Sequence, residues 1–160
     1  MNIRHGNRVA AVLLVMMLGA CAATPEAPRE RDADAKHFES VPGSAVIYLY
    51  RADVSGGLST LWLNNRLLGQ TLAQTYFRAT ARADRSVIAT SGADNGRIEL
   101  ETREEGVYFV EMRVYGQGEG DSQTIFRRVT PEIGRQAILR CCNLLENWRP
   151  GQSRLSLFGM

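Results

Sequence analysis

Short runs of alternating apolar and polar residues dominate the chain from Ala45 onward. A strand points successive side chains to opposite faces, so this alternation is typical of strands with one buried face. Arg97 to Thr102 shows the pattern clearly, whereas Ala45 to Arg51 is apolar on both faces, as a strand covered on two sides would be. Turn residues such as Asn64-Asn65 separate the runs. The predicted strands are 45–51, 60–64, 66–70, 76–82, 86–90, 97–102, 107–115 and 122–129.

One helix interrupts the strands. Thr130-Pro131-Glu132 offers an N-cap residue, a proline at the first helical position and an acid in the first turn. We predict that this helix runs to about Leu145 and that Arg154 to Phe158 (RLSLF) forms a last strand. The fold expected is mainly β, an antiparallel β-sandwich or open barrel of about 7–9 short strands with one helix near the C-terminus.

Residues 22–44 have a different composition. The segment is rich in proline and charge, and only Phe38 and Val41 are large and apolar. Such a segment buries too little surface to offset its ordering entropy. We therefore expect residues 21–44 to be a flexible tether, spanning about 25 to 30 Å as a coil and with room for a short helix around Arg29 to Phe38. Residues 45–160 are then a single β-sandwich domain.

The first twenty residues are typical of a secretory signal. Basic residues Arg4 and Arg8 precede an apolar run from Val9 to Leu18, which is too short for a membrane-spanning helix of roughly 20 residues. The Leu-Gly-Ala-Cys sequence that ends at Cys21 resembles the lipobox of bacterial lipoprotein precursors. The resemblance implies cleavage between Ala20 and Cys21 and attachment of a diacylglyceryl group and an N-acyl chain to Cys21. The alternative is an ordinary signal peptide with a cysteine nearby by chance.

The lipobox also implies a location. Two buried acyl chains suffice for stable anchoring, at about 0.8 kcal/mol per methylene, so the membrane would be a partner through lipid alone. Ala22 follows Cys21, where lipoproteins retained at the inner membrane usually carry Asp. The resemblance therefore implies the outer membrane, on its periplasmic face, with the inner membrane as the alternative.

Charge argues against a nucleic-acid partner. Of the 19 basic residues, Arg4 and Arg8 belong to the signal, and the 17 that remain balance the 17 acids. A neutral mature chain has no net field to attract a polyanion.

Four stretches of the chain resemble the small bacterial lipoprotein domain known as domain of unknown function 2846. Ala45–Arg51 is similar to its opening strand, Leu61–Gly69 to its hairpin, Glu105–Val110 to its glycine before an aromatic strand, and Val129–Leu139 to its closing helix. Ala83–Ser86 departs from the family, which often has Pro-Gly-x-His there. The resemblance implies a β-sandwich module of the cell envelope and implies no activity.

The residues needed for common catalytic and metal sites are missing or scattered. The two histidines are His5, in the signal, and His37, in the expected tether, so a Ser-His-Asp arrangement or a histidine zinc site has no histidine in the domain. The loop at Asp94 lacks the ligand spacing of a calcium cage. Paired acids can hydrolyse glycosides, but Glu99 and the other acids of residues 99–111 are expected on a solvated face or in a turn. We predict no catalytic residue, no metal and no cofactor beyond the acyl chains.

Two sets of residues keep a binding role open. Adjacent helical side chains point about 100° apart, so a bridge between Cys141 and Cys142 would distort a helix. The alternatives for the pair are simple packing, an intermolecular disulfide with a partner in an oxidising compartment, and redox chemistry. Four aromatic residues have two alternative roles: they are exposed and line a groove for sugar or peptide, or they pack in the core. They are Trp62, Tyr76, Tyr108 and Trp148.

Together these patterns predict a lipid-anchored, non-enzymatic binding or scaffolding module whose partner is an envelope protein or peptidoglycan. The alternative is a dedicated carbohydrate- or peptidoglycan-binding module. The third hypothesis is an enzyme that uses carboxylates or Cys141 and Cys142.

Overall fold

The computed structural model describes residues 24–54, 56–91, 94–116 and 122–148. Within these ranges the chain forms two helices and nine strands, with the C-terminal helix preceding the last strand. In chain order they are α1 (Arg29–Ala35), β1 (Ala45–Arg51), β2 (Thr60–Leu63), β3 (Arg66–Gln70), β4 (Thr75–Ala81), β5 (Asp84–Thr90), β6 (Arg97–Thr102), β7 (Val107–Tyr115), β8 (Gln123–Val129), α2 (Pro131–Cys141) and β9 (Asn143–Leu144).

The strands form two sheets. Sheet 1 has the order β8-β7-β1-β4-β9 and sheet 2 the order β3-β2-β5-β6. Pairing is antiparallel except that β1 lies parallel to β7 and β4 parallel to β9. Over the described residues the sheets do not join into a closed barrel. The predicted fold class, mainly β with a helix near the C-terminus, is confirmed.

Two apolar clusters hold the fold together. The inner faces of the two sheets meet in one, which includes Ile47, Leu61 and Val110. The outer face of sheet 1 forms the other beneath both helices, and includes Tyr48, Phe109 and Ile138. Strand β1 is therefore buried on both faces, as its uninterrupted apolar sequence predicted.

The strand bounds agree with the sequence prediction to within two residues, and the prediction for α2 is too long. Asn64 and Asn65 both have positive φ in the β2–β3 turn, as expected. Helix α2 ends at Cys141, because Cys142 is extended (φ −124°, ψ 140°) and Asn143–Leu144 pairs with β4 instead. The strand predicted at Arg154–Phe158 lies outside the described residues.

The expectation of a flexible tether is wrong from Thr24 onward. Helix α1 lies on the outer face of sheet 1, and the Phe38 ring packs edge-on against Tyr48, with ring centroids 5.2 Å apart. The backbone N–H of Ala27 donates to the carbonyl of Leu144 at 2.8 Å. Few apolar residues suffice here because sheet 1 already presents an apolar face to cover. Neither helix of the described residues is long and apolar enough to cross a membrane.

Candidate binding surfaces

Part of the outer face of sheet 1 is left uncovered by the two helices of the described residues. Along β7, Phe109 lies beneath α2, and the residues that follow on the same face pair across to β8 beyond the helix. Tyr115 and Ile125 are 50% and 51% exposed there, although both are large and apolar. The patch surrounds a depression of about 200 Å³. We call it the β7–β8 surface; its residues are Glu111, Arg113, Tyr115, Ile125 and Arg127.

A buried carboxylate organises this surface. Glu111 is only 9% exposed, whereas we had expected it to belong to a solvated group of acids. Its Oε2 accepts hydrogen bonds from Nε and Nη2 of Arg127 at 2.9 and 2.5 Å, and its Oε1 accepts from Nη2 of Arg113 at 3.1 Å. The hydrogen bonds and charge of Glu111 raise the pKa of Arg113. Two guanidinium groups thus surround one carboxylate, which leaves one net positive charge at the surface.

The beginning of β8 is fastened to sheet 2 by a second buried carboxylate. Asp94 accepts hydrogen bonds from the hydroxyls of Ser59 and Thr124 and from the backbone N–H groups of Thr124 and Gly96. Burial alone would raise the pKa of Asp94, but these donors together lower it below its ordinary value. The network ties the start of β8, next to the β7–β8 surface, to the turn between β5 and β6. It also occupies both Asp94 oxygens, and no group of three metal-ligating side chains occurs within the described ranges.

A cleft of about 300 Å³ lies between α1 and strands β4 and β9. Its apolar part includes Ala35, and its polar part has both signs of charge. The amide of Asn147 donates to the Arg78 carbonyl at 2.7 Å, while its buried Oδ1 accepts no hydrogen bond from the described part of the chain. The sequence pattern missed this cleft because α1 was assigned to the tether. The charged residues that line it are Arg31, Asp34, Glu39 and Arg78.

The structure does not bring the four candidate aromatic residues into one groove. Tyr76 is 1% exposed and donates its hydroxyl hydrogen to Asp32 at 3.0 Å, and burial, with the neighbouring Asp32 charge, raises its pKa. The Tyr108 hydroxyl accepts from the backbone N–H of Arg103 at 2.9 Å. A ligand role for Tyr76 is therefore wrong, because the helices cover the face of sheet 1 on which it lies.

The two tryptophans lie elsewhere. Trp62 is half-buried on the outer face of sheet 2, opposite Leu67 and Ala89. Trp148 follows β9 and is 38% exposed, and its backbone N–H donates to the carbonyl of Leu68 at 2.8 Å.

Cys141 and Cys142 are joined to each other by a disulfide. The expected helix through both residues ends at Cys141, so the divergence of neighbouring helical side chains does not apply to the pair. Sγ of Cys142 is buried 3.7 Å from the carbonyl oxygen of Arg51. Of the three alternatives for the pair, the intermolecular disulfide is corrected accordingly, since the two sulfurs are bonded to each other. The predicted cleavage and acylation residues, Ala20 and Cys21, lie outside the described residues.

The fold and its surfaces define a class: a two-sheet β-sandwich with two helices on one sheet. Beside the helices lies a surface that combines charged and apolar side chains. An uncharacterized protein of Haemophilus influenzae is 26% identical to this chain over 136 residues, which cover 82% of this chain and 80% of that protein. No family model matches the chain. No solved structure matches it either. The resemblance to domain of unknown function 2846 stays a prediction.

Proposed function

We propose that this protein is a bacterial lipoprotein, acylated at Cys21 and held on the periplasmic face of the outer membrane, whose domain binds an envelope protein without catalysing a reaction. The signal-like N-terminus and the lipobox support the anchor. Among the described residues, the two carboxylates buried most deeply are Asp94 and Glu111. Both are held by donors of the fold itself, which supports a structural role for them.

The β7–β8 surface is the observation that carries the binding role. Tyrosine and arginine are enriched in protein interfaces, and exposed tyrosine and isoleucine side chains gain most when a partner removes them from water. Both strands are part of a five-stranded sheet, so little ordering entropy is lost when they bind. The net positive charge of the arginine pair favours a partner with an acidic group beside an apolar one.

A photo-crosslinking side chain at Tyr115 of the full-length lipoprotein in living cells tests this function. We expect one dominant crosslinked envelope protein, with none at Leu139, which is 60% exposed but lies on α2. Arg127→Gln should remove that crosslink, and Arg140→Gln, a matched neutralisation on α2, should leave it. Cys21→Ser should weaken the crosslink by displacing the protein from the membrane.

Two results would contradict the proposal. One is the absence of a protein crosslink from both Tyr115 and Ile125 in a folded, acylated protein. The other is a crosslink that survives both Arg113→Gln and Arg127→Gln, because a partner recognised by charge would be lost with them.

The cleft beneath α1 favours a second candidate, a peptidoglycan-binding module. Peptidoglycan stem peptides carry both amino and carboxyl groups, and the cleft presents both Arg31 and Asp34. Retention of the protein on purified peptidoglycan, lost in Arg31→Gln but not in Arg140→Gln, would support this candidate. Loss in Trp62→Ala instead would place the carbohydrate contact on the outer face of sheet 2.

A further inference from the structure

The folded domain begins almost at the acylation site. The Thr24 hydroxyl accepts a hydrogen bond from the backbone N–H of Gln70 at 2.7 Å, and its side chain packs on Gly69, where an added Cβ would lie 2.8 Å from Oγ1 of Thr24. The next residue, Pro25, accepts from the N–H of Glu146 at 2.9 Å. Thr24 is thus part of the domain surface, held from two sides.

This placement limits how far the domain can lie from a lipid on Cys21. Whatever the conformation of residues 21–23, three consecutive Cα–Cα steps of 3.8 Å reach about 11 Å. A tether running to residue 44 would have allowed about 25 to 30 Å. A folded domain on so short a connection is held against the bilayer, with the surface around Thr24 turned toward it.

Sheet edges meet at this surface. Strand β3 is an edge of sheet 2, and β9 is an edge of sheet 1. Trp148 follows β9, is bonded to β3 through Leu68 and is partly exposed. Tryptophan is enriched at membrane–water interfaces, since its ring is apolar and its indole N–H is polar.

We propose that this edge, defined by Thr24, Gln70 and Trp148 and here called the anchor edge, lies against the headgroup layer of the bilayer and holds the domain in one orientation. The inference rests on the proposed acylation of Cys21. The ligand is the lipid surface itself, with Trp148 at the interface.

The orientation has a consequence for the opposite edge of the molecule. Strands β9 and β8 are the two edges of sheet 1, and the four strand spacings between them amount to about 19 Å. The β7–β8 surface is therefore turned away from the lipid and toward partners that are exposed to the periplasm.

Tryptophan fluorescence of the full-length acylated protein in phosphatidylcholine vesicles tests the orientation, with a nitroxide quencher on the lipid headgroup. The chain has two tryptophans, so Trp62→Phe makes Trp148 the sole emitter. We expect loss of most Trp148 emission. Inserting about twelve glycine and serine residues between Ala23 and Thr24 adds a reach of about 20 Å and should restore most of the emission without changing the domain.

A reporter on the far edge supplies the matched control. Ile125→Trp, with both native tryptophans replaced by phenylalanine, should keep its emission in the same vesicles. If Trp62→Phe lowers stability, the unsubstituted protein and its insertion variant give the same comparison from both tryptophans.

The outcomes separate the orientation from the anchor. Intact mass spectrometry of the purified protein shows first whether acyl chains are present, and their absence overturns both proposals. In an acylated protein, equal emission with and without the insertion, or equal quenching at Ile125→Trp and Trp148, overturns the orientation and leaves the anchor standing.

Discussion

The outer face of sheet 1 has two halves that share one alternating sequence pattern but differ in burial. Phe109 and Tyr115 lie on the same strand and the same face, yet Phe109 is buried under α2 and Tyr115 is half exposed. The alternation of β7 decides which face a residue occupies. Whether that face is covered is decided by how far the helices reach.

A single glycine lets the helix come close over the covered half. A Cβ added at Gly134 would lie 2.4 Å from the Phe109 ring, so the backbone of α2 rests directly on that side chain. The helix ends at Cys141, and no other helix of the described residues lies over the β7–β8 surface. The uncovered half keeps large apolar side chains that a second molecule can cover.

The first prediction tests this contrast with two truncations on one strand. Phe109→Ala should lower the free energy of unfolding by about 3–5 kcal/mol, because it opens a cavity under α2. Tyr115→Ala should change it by less than about 0.5 kcal/mol. Urea unfolding monitored by circular dichroism measures both. Similar losses for the two variants would show that Tyr115 is covered as Phe109 is.

The second prediction concerns the carboxylate that fastens β8 to sheet 2. Asp94→Asn should cost about 1–3 kcal/mol at neutral pH, since donors that now bind the carboxylate would meet an amide N–H₂ group. Glu101→Gln, an exposed acid of β6, is the control and should have little effect.

The effect of Asp94→Asn on the free energy of unfolding should depend on pH. The pKa of Asp94 is lower in the folded chain than in the unfolded chain. Its ionised form therefore stabilises the fold fully above the unfolded pKa of about 4, and this contribution is lost as pH falls through the folded pKa. Unfolding measured from neutral pH down to about pH 2 should show the gap between wild type and Asp94→Asn shrinking in acid. A gap that is constant with pH would contradict an ionised Asp94.

Strands were predictable from the sequence because each one carries its own evidence. The alternation in Arg97–Thr102 and the double apolar face of Ala45–Arg51 follow from what each strand packs against, and the turn asparagines mark their ends. The same reasoning did not predict the folded structure of residues 24–44. Their few apolar residues look insufficient until the apolar outer face of sheet 1, formed by distant segments, is there to receive Phe38.

The candidate surface was less predictable than the fold, for a related reason. Glu101 and Glu111 are both acids within strands, but Glu101 faces solvent and Glu111 lies buried between two arginines. Only the pairing of β7 with β8 places Arg127 opposite Glu111. The prediction of an aromatic groove was wrong for the opposite reason, because a residue expected to be exposed is buried. Tyr76 points outward from sheet 1 into α1, a helix within the segment that had been assigned to the tether.

The third prediction tests the close approach of α2. Gly134→Ala should lower stability by about 1–2 kcal/mol, because a methyl group pressed into Phe109 outweighs the gain of about 1 kcal/mol in helix propensity. The control is Ile133→Ala, on the exposed side of the same turn, which should change stability little. An increase in stability for Gly134→Ala would mean that the helix stands farther from sheet 1.

The smallest effect is expected where the helical cover ends, at the disulfide between Cys141 and Cys142. A bridge between neighbouring residues closes so short a loop that the chain-entropy account gives only about 1 kcal/mol of stabilisation. In the Cys21→Ser form, which leaves only these two cysteines, a reductant should lower the free energy of unfolding by about that amount. A Cys141→Ser/Cys142→Ser variant should not respond. A dimer on non-reducing gels that the reductant dissolves would instead assign the sulfurs to a second molecule, and the boundary of the covered half would then be a contact site itself.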